Sequence, residues 1–118
     1  MTSVVIVEPD ALLGRLLWAF LASHGFRAWT VPTVEEARRR CSAERVDVLV
    51  LDLDGLDGAD LQETLGSLPP AVILAGPSER KGLQPRLRAR VLSKPFDPDE
   101  LLLLMGDAAE RARASPEV

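Results

Sequence analysis

The sequence is poor in the residues that build disulfide frameworks and histidine-rich metal sites. It contains one cysteine, Cys41, and one histidine, His24. A single cysteine cannot form an internal disulfide, and its helical spacing from Val34 and Ala37 predicts a small buried side chain. His24 has no second histidine with which to share a metal, and its place just before Gly25 indicates a helix carboxyl end. Neither residue is therefore predicted to carry chemistry.

Long hydrophobic runs and net positive charge are also absent. The longest apolar stretches, such as Leu101–Met105, are far too short to span a bilayer, and the amino terminus lacks the pattern of a secretory signal. We therefore expect a cytoplasmic protein. The formal net charge of −4 disfavours binding to nucleic acid, which needs net or strongly clustered positive charge.

The composition that remains suits one globular domain. The 118 residues are 47% hydrophobic and 27% charged, which allows a real core but leaves no room for a second domain. We predict a domain over residues 1–114, followed by a polar tail or the start of a linker over residues 115–118.

Short apolar runs alternate with segments of helical periodicity. The predicted strands are Val4–Val7, Arg27–Val31, Val46–Leu51, Ala71–Ala75 and Arg90–Leu92. Three of them are apolar throughout, as strands covered on both faces of a parallel sheet must be. The alternation predicts an α/β fold, a three-layer, doubly wound, parallel five-stranded sheet of order 2-1-3-4-5, as in flavodoxin-like folds.

Capping residues mark several predicted helix ends. Thr33 and Glu36 form a capping box, and Asp97 precedes Pro98 at a first helical position. The first helix should end at Gly25, because glycine tolerates the left-handed conformation there. One apolar stripe is predicted on that helix, and its members are Leu12, Leu13, Leu16, Leu17, Phe20 and Leu21.

The segment before the fifth strand is less regular. Gly82 and Pro85 interrupt any helix between residues 76 and 90, so the fourth helix should be short or irregular. Trp18 and Trp29 are both predicted to lie in the core or at its edge, rather than to stack on nucleobases.

Acidic residues and one lysine follow the strands that meet at the switch point of this sheet order. Glu8 and Asp10 follow the first strand, Asp52 and Asp54 the third, and Lys94 the fifth. Asp10 also suits a helix N-cap, whereas Asp52 directly follows a buried apolar strand. Converging carboxylates are costly unless they share a cation or a proton, and their hard oxygens suit Mg²⁺.

Two other ligands fit this pattern poorly. Acidic residues fall at EF-hand positions one, three, nine and twelve from Asp52, but Leu56 stands at position five and a strand precedes the loop. An FMN phosphate would be repelled by Glu8 and Asp10. No flavin, and no haem, is expected, although an FMN-binding carrier remains a remote alternative.

The strands, their spacing and the Lys94-Pro95-Phe96 ending resemble the receiver domain of response regulators over nearly the whole chain. The resemblance implies that Asp52 accepts phosphate, that Glu8 is the first acidic residue of a metal-binding pair, and that Lys94 contacts a phosphoryl oxygen. It also implies a cis bond between Lys94 and Pro95.

Three family positions carry residues that lack the usual chemistry. Pro9 stands where the family has a second metal-binding carboxylate, Ala75 where it has Thr or Ser, and Val91 where it has an aromatic ring. The loop after Asp52, which includes Asp54, is shorter than in the family. We expect Mg²⁺ binding by Glu8, Asp10, Asp52 and Asp54 to be weak or absent, and the usual switch to be impaired.

The preferred function is a non-enzymatic signalling module of a two-component or phosphorelay system that binds protein partners, with phosphorylation of Asp52 impaired or dispensable. The alternative is a working Mg²⁺-dependent receiver that takes phosphate from a histidine kinase. Partners, or a second copy, should dock on the face formed by the fifth strand and the helices before and after it. The residues predicted for this face are Leu102, Leu103, Arg88 and Arg90.

Overall fold

The computed structural model describes residues 1–53, 66, 68–76 and 89–114. Strands and helices alternate along these residues. A helix follows each strand for which the structure describes the next segment. The elements are β1 Ser3–Val7, α1 Ala11–Ser23, β2 Arg27–Val31, α2 Val34–Ala43, β3 Val48–Asp52, β4 Ala71–Ala75, β5 Ala89–Ser93 and α3 Pro98–Ala114.

The five strands form one parallel sheet in the order β2-β1-β3-β4-β5, which confirms the predicted topology. The bounds of β2 and β4 are as predicted, while β1 and β5 are slightly longer. β3 begins at Val48 rather than Val46, because Asp47 just before it turns its carboxylate to the backbone and hydroxyl of Ser3. β3 also extends to Asp52.

Alternate strand residues build two apolar clusters, one on each face of the sheet. α1 and α3 cover one face, where Leu21, Leu101 and Met105 are buried against strand residues such as Ile6. α2 covers the other face through Ala37. The fold therefore has three layers, and β1, β3 and β4 are buried on both sides, as their continuous apolar sequences require.

The predicted helix ends are confirmed. The side chain of Thr33 accepts from the amide of Glu36, and that of Asp97 accepts from the amide of Asp99. Gly25 follows α1 with φ of 89°, the left-handed region that glycine tolerates best. His24 lies at the C-cap with Nδ1 2.9 Å from the carbonyl oxygen of Phe20, in keeping with its predicted place.

The single apolar stripe predicted on α1 is wrong. Leu21 is buried and Leu17 partly so, but Leu12 and Leu16 are 68% and 59% exposed. The helix lies on the sheet through Gly14, which has no side chain, and residues two apart on a helix point about 200° from each other. Leu12 and Leu16 therefore face solvent.

Trp29 lies at the edge of the core as predicted, but the prediction is wrong for Trp18, which is exposed and is not among the residues that pack against the two core clusters. The indole N–H of Trp18 donates to the carbonyl oxygen of Ala28. Trp29 packs half-buried against the cluster under α2. The predicted irregular fourth helix and the tail at residues 115–118 lie outside the described residues. No helix in the described ranges is both long and apolar enough to cross a bilayer.

Candidate functional site

Glu8, Asp52 and Lys94 meet at the carboxyl ends of three strands, as the sequence predicts. Glu8 directly follows β1, Asp52 ends β3, and Lys94 directly follows β5. The parallel register brings these ends to the same edge of the sheet. Glu8 and Asp52 are only 6% and 4% exposed, so each carboxyl group needs a partner or a proton.

Asp52 is held by the ammonium group of Lys94. The Nζ atom donates to both carboxylate oxygens, at 2.9 Å to Oδ1 and 2.8 Å to Oδ2. The amide of Lys94 donates to the carbonyl oxygen of Ala75, which ties the lysine to the end of β4. The bond between Lys94 and Pro95 is cis, as the resemblance implied.

Glu8 is satisfied at one oxygen only. Its Oε1 accepts from the amide of Asp10 at 3.2 Å, whereas Oε2 is buried and has no partner with hydrogen-bond geometry. Burial is the largest cause that raises the pKa of Glu8 from 4.5 to about 7, and the hydrogen bond and charge of the neighbouring Asp52 carboxylate contribute to this rise. The amide of Asp10 and the charge of Lys94 act in the opposite direction on this pKa.

Asp10 serves the helix rather than the acidic pair. Its side chain is exposed, and Oδ1 accepts from the amides of Leu12 and Leu13 at 2.9 and 3.2 Å. Pro9 is exposed and offers no side-chain oxygen. Two buried carboxylates and one ammonium thus form the core of the site; Asp54 lies outside the described residues.

The positions that differ from the family surround this core. Ala75 is buried at the end of β4, and Val91 is half-buried in the middle of β5. Ser93 pairs with Ala75 in the strand register and is half-buried, so a hydroxyl lies near the place where Ala75 lacks one. Sequence reasoning missed Ser93, although its position next to Lys94 could have pointed to it.

The acidic pair fits a divalent cation in part. The unpartnered Oε2 of Glu8 would gain from a cation, and Asp52 offers a second hard oxygen. Over residues 1–53, 66, 68–76 and 89–114, however, no three histidine, cysteine, aspartate or glutamate side chains group closely enough to hold a metal ion. Weak metal binding stays a prediction.

The predicted partner face is described in part. Leu103 of α3 is 75% exposed, whereas Leu102 packs half-buried against the core cluster and so is not a surplus surface leucine. Arg90 of β5 donates to Asp107 of α3 at 3.0 Å. Arg88 lies outside the described residues. A surface depression of about 530 Å³ lies between β5 and α3 beside Leu103.

Comparisons with curated proteins find transcriptional regulators. The chain is 32% identical over 91% of its length to an uncharacterized transcriptional regulatory protein, YbdJ, of Bacillus subtilis. It is 30% identical over 98% of its length to the KDP operon transcriptional regulatory protein KdpE of Escherichia coli. The matches cover 50% and 54% of those proteins, so the chain spans about half the length of the curated relatives it matches. No protein-family model matches the chain.

Solved structures share the fold over nearly the whole chain. A response regulator receiver protein from Burkholderia phymatum is 25% identical, with a TM-score of 0.74 and coverage of 93% of this chain and 96% of that one. The signal receiver domain of an HD domain-containing protein from Pseudomonas fluorescens has a TM-score of 0.78 at 18% identity, covering 96% and 90% of the two chains. The second likeness concerns the fold alone.

Proposed function

We propose that this chain is a receiver domain of the response regulator family and that it acts as a signalling module that binds protein partners, with phosphorylation of Asp52 impaired or dispensable. The observation that carries this proposal is the depleted acidic site. Pro9 stands where a carboxylate would be needed, and Asp10 uses Oδ1 to cap α1. Among the acidic residues that the structure describes, Glu8 alone is buried together with Asp52.

A bound Mg²⁺ would neutralise negative charge on Asp52 and on an incoming phosphoryl group. In this chain Glu8 and Asp52 would hold it, and Lys94 already supplies one positive charge to Asp52. Mg²⁺ sheds its water reluctantly and favours sites with well-placed oxygens. Two protein carboxylates beside an ammonium group therefore support weak binding of the ion.

The alternative is a working Mg²⁺-dependent receiver that takes phosphate from a histidine kinase onto Asp52. The orphaned Oε2 of Glu8 favours this alternative, because a buried oxygen without a partner would be stabilised by a cation. An exposed apolar surface next to the site, formed by Leu12, Leu13 and Leu16 of α1, would suit a protein that approaches Asp52.

Incubation with a small-molecule phosphodonor, with and without Mg²⁺, distinguishes the two functions. We expect intact-mass spectrometry to find little gain of a phosphoryl group on the parent chain. The Asp52→Asn variant is the control for modification elsewhere. A Mg²⁺-dependent gain of one phosphoryl group that Asp52→Asn abolishes would overturn the impaired site and establish the alternative.

A matched variant locates the cause of the impairment. Pro9→Asp restores a carboxylate at the second acidic position, and we expect it to increase both Mg²⁺ affinity and phosphoryl gain. Pro9→Asn, of similar size but without charge, should produce neither increase. If both variants behave like the parent chain, the missing carboxylate is not what limits the site.

A further inference from the structure

A cleft of about 860 Å³ lies at the edge of the sheet opposite Asp52, where the strands begin. Its walls include Ser3 and Arg27, which start β1 and β2, the segment with Arg45 and Asp47 before β3, and Arg113 near the end of α3. Trp29 also lines it. The volume falls within the range of roughly 300–1,000 Å³ that is usual for small-molecule sites.

Three arginines, Arg27, Arg45 and Arg113, and two carboxylates, Glu44 and Asp47, line the cleft, so its side chains carry net positive charge. Asp47 is already satisfied, because it accepts from the amide of Ser3 at 2.9 Å and the hydroxyl at 3.1 Å, and pairs with Arg45 at 3.4 Å. Among the residues that the structure describes, no carboxylate lies within ion-pair distance of Arg27 or Arg113. These two guanidinium groups face the cleft in a chain whose net charge is −4.

Trp29 holds two guanidinium groups at this end of the sheet. The guanidinium carbons of Arg27 and Arg40 lie 5.0 and 5.1 Å from the centre of its ring, within cation–π distance. Arg40 also pairs with Glu44 at 3.6 Å. A guanidinium packed on a ring keeps its N–H groups free to donate, and its planar fork matches phosphate oxygens. Arg27 is thereby positioned to bind an anion.

We propose that this cleft binds a small polyphosphate, either inorganic or carried by a nucleotide, through Arg27 and Arg113. Two guanidinium groups that pair with no carboxylate among the described residues line one cleft, and they favour a ligand that carries several negative charges over a single carboxylate. The site is separate from Asp52, since it lies at the opposite edge of the sheet, and it is independent of phosphorylation.

Trp29 provides the reporter for the test. In a Trp18→Phe background, tryptophan emission comes from Trp29 alone, and inorganic triphosphate should change it saturably. Arg27→Gln and Arg113→Gln should each weaken binding by about tenfold or more, because each removes a charge-assisted contact. Calorimetry with triphosphate on the unsubstituted chain repeats the measurement without relying on the Trp18 substitution.

Arg39→Gln is the matched control, because Arg39 is exposed on α2, pairs with Glu35 and does not line the cleft. It should leave the affinity unchanged. Equal affinities for ATP and inorganic triphosphate would show that the cleft recognises the phosphates alone. A higher affinity for ATP would show that the cleft also contacts the nucleoside. The proposal is overturned if binding does not saturate, if Arg39→Gln weakens it as much as Arg27→Gln, or if duplex DNA binds more tightly than triphosphate at equal salt.

Discussion

Glu8 and Asp52 are buried at the same edge of the sheet, and their side chains have different partners. Both oxygens of Asp52 accept from the ammonium group of Lys94. Glu8 has one unpartnered oxygen and a pKa raised to about 7 by burial and by its neighbour. Near neutral pH, a proton on Glu8 relieves the repulsion between the two groups.

Glu8 should make stability depend on pH. A carboxyl group whose pKa is higher in the folded state stabilises the fold fully below its unfolded value, near 4.5, and loses that contribution as pH rises through about 7. The loss is of the order of 3 kcal/mol. Urea unfolding from pH 5 to pH 8 should reveal this slope in the parent chain and a reduced one in Glu8→Gln.

The exposed Glu110→Gln on α3 is the control for the pH experiment and should keep the slope of the parent chain. If Glu8→Gln and the parent chain lose stability in parallel between pH 5 and pH 8, burial of Glu8 is not the cause of the slope.

Lys94 should stabilise the fold through Asp52. Lys94→Met leaves the buried Asp52 carboxylate without its cation, which we expect to cost about 2 kcal/mol of unfolding free energy. The double variant Lys94→Met with Asp52→Asn should recover part of this loss, since no uncompensated charge remains. Chemical denaturation of the single and double variants measures the coupling, and additive losses would contradict it.

Arg90→Gln, which breaks an exposed pair with Asp107, should cost under about 1 kcal/mol.

At the level of elements, each helix docks through a narrow set of side chains. α3 buries Leu101, Met105 and Ala108, while Leu103 points outward as its spacing from Leu101 requires. α1 approaches the sheet through Gly14, where an added Cβ would be 3.7 Å from Glu8 and Thr30. This distance is an ordinary van der Waals contact, and the buried residues of α1 are Gly14 and Leu21, so Leu12 and Leu16 on the opposite face from Gly14 remain on the surface.

Substitution by alanine should change the stability of the chain in opposite directions at two glycines. Gly106 lies inside α3, is exposed, and has open space around an added Cβ, so Gly106→Ala should stabilise the chain by about 1 kcal/mol. Gly25 has a φ of 89°, so Gly25→Ala should destabilise it by about 1 kcal/mol. Thermal unfolding of both variants tests the pair. Equal shifts in the same direction would contradict the conformational explanation.

For the whole molecule, the two edges of the sheet at which the strands begin and end carry different chemistry, and a further surface lies along β5 and α3. The carboxyl edge of the sheet carries Glu8 and Asp52, and the amino edge carries the cleft with Arg27 and Arg113. The third surface, along β5 and α3, is apolar at Leu103. Under the proposed function, in which phosphorylation is impaired or dispensable, this surface would bind the protein partner.

We expect self-association through the β5 and α3 surface. Leu103→Glu should leave the fold intact, because Leu103 is 75% exposed, and should weaken a dimer by placing charge in its apolar centre. Sedimentation velocity over a range of concentrations measures the effect. Leu12→Glu, at a similarly exposed leucine on α1, is the control and should retain the parent behaviour. A parent chain that stays monomeric at high concentration rules out this interface.

The sequence by itself determined the five strands, the sheet order and the edge at which the site lies. Continuous apolar runs require strands buried on both faces, and capping at Thr33 and Asp97 is a local matter of backbone amides and nearby side chains. Because parallel strands end at one edge, the positions of Glu8, Asp52 and Lys94 along the chain were enough to bring them together.

Only the tertiary structure decided which partner each charged group has. Asp10 suited either a metal or a helix N-cap, and the packing of α1 engaged it at the cap. The apolar pattern of α1 did not reveal that Leu12 and Leu16 face solvent, because Gly14 sets how the helix lies on the sheet. The cleft depends on Arg27 and Arg113, which are distant in sequence and line the same cleft only in the folded chain.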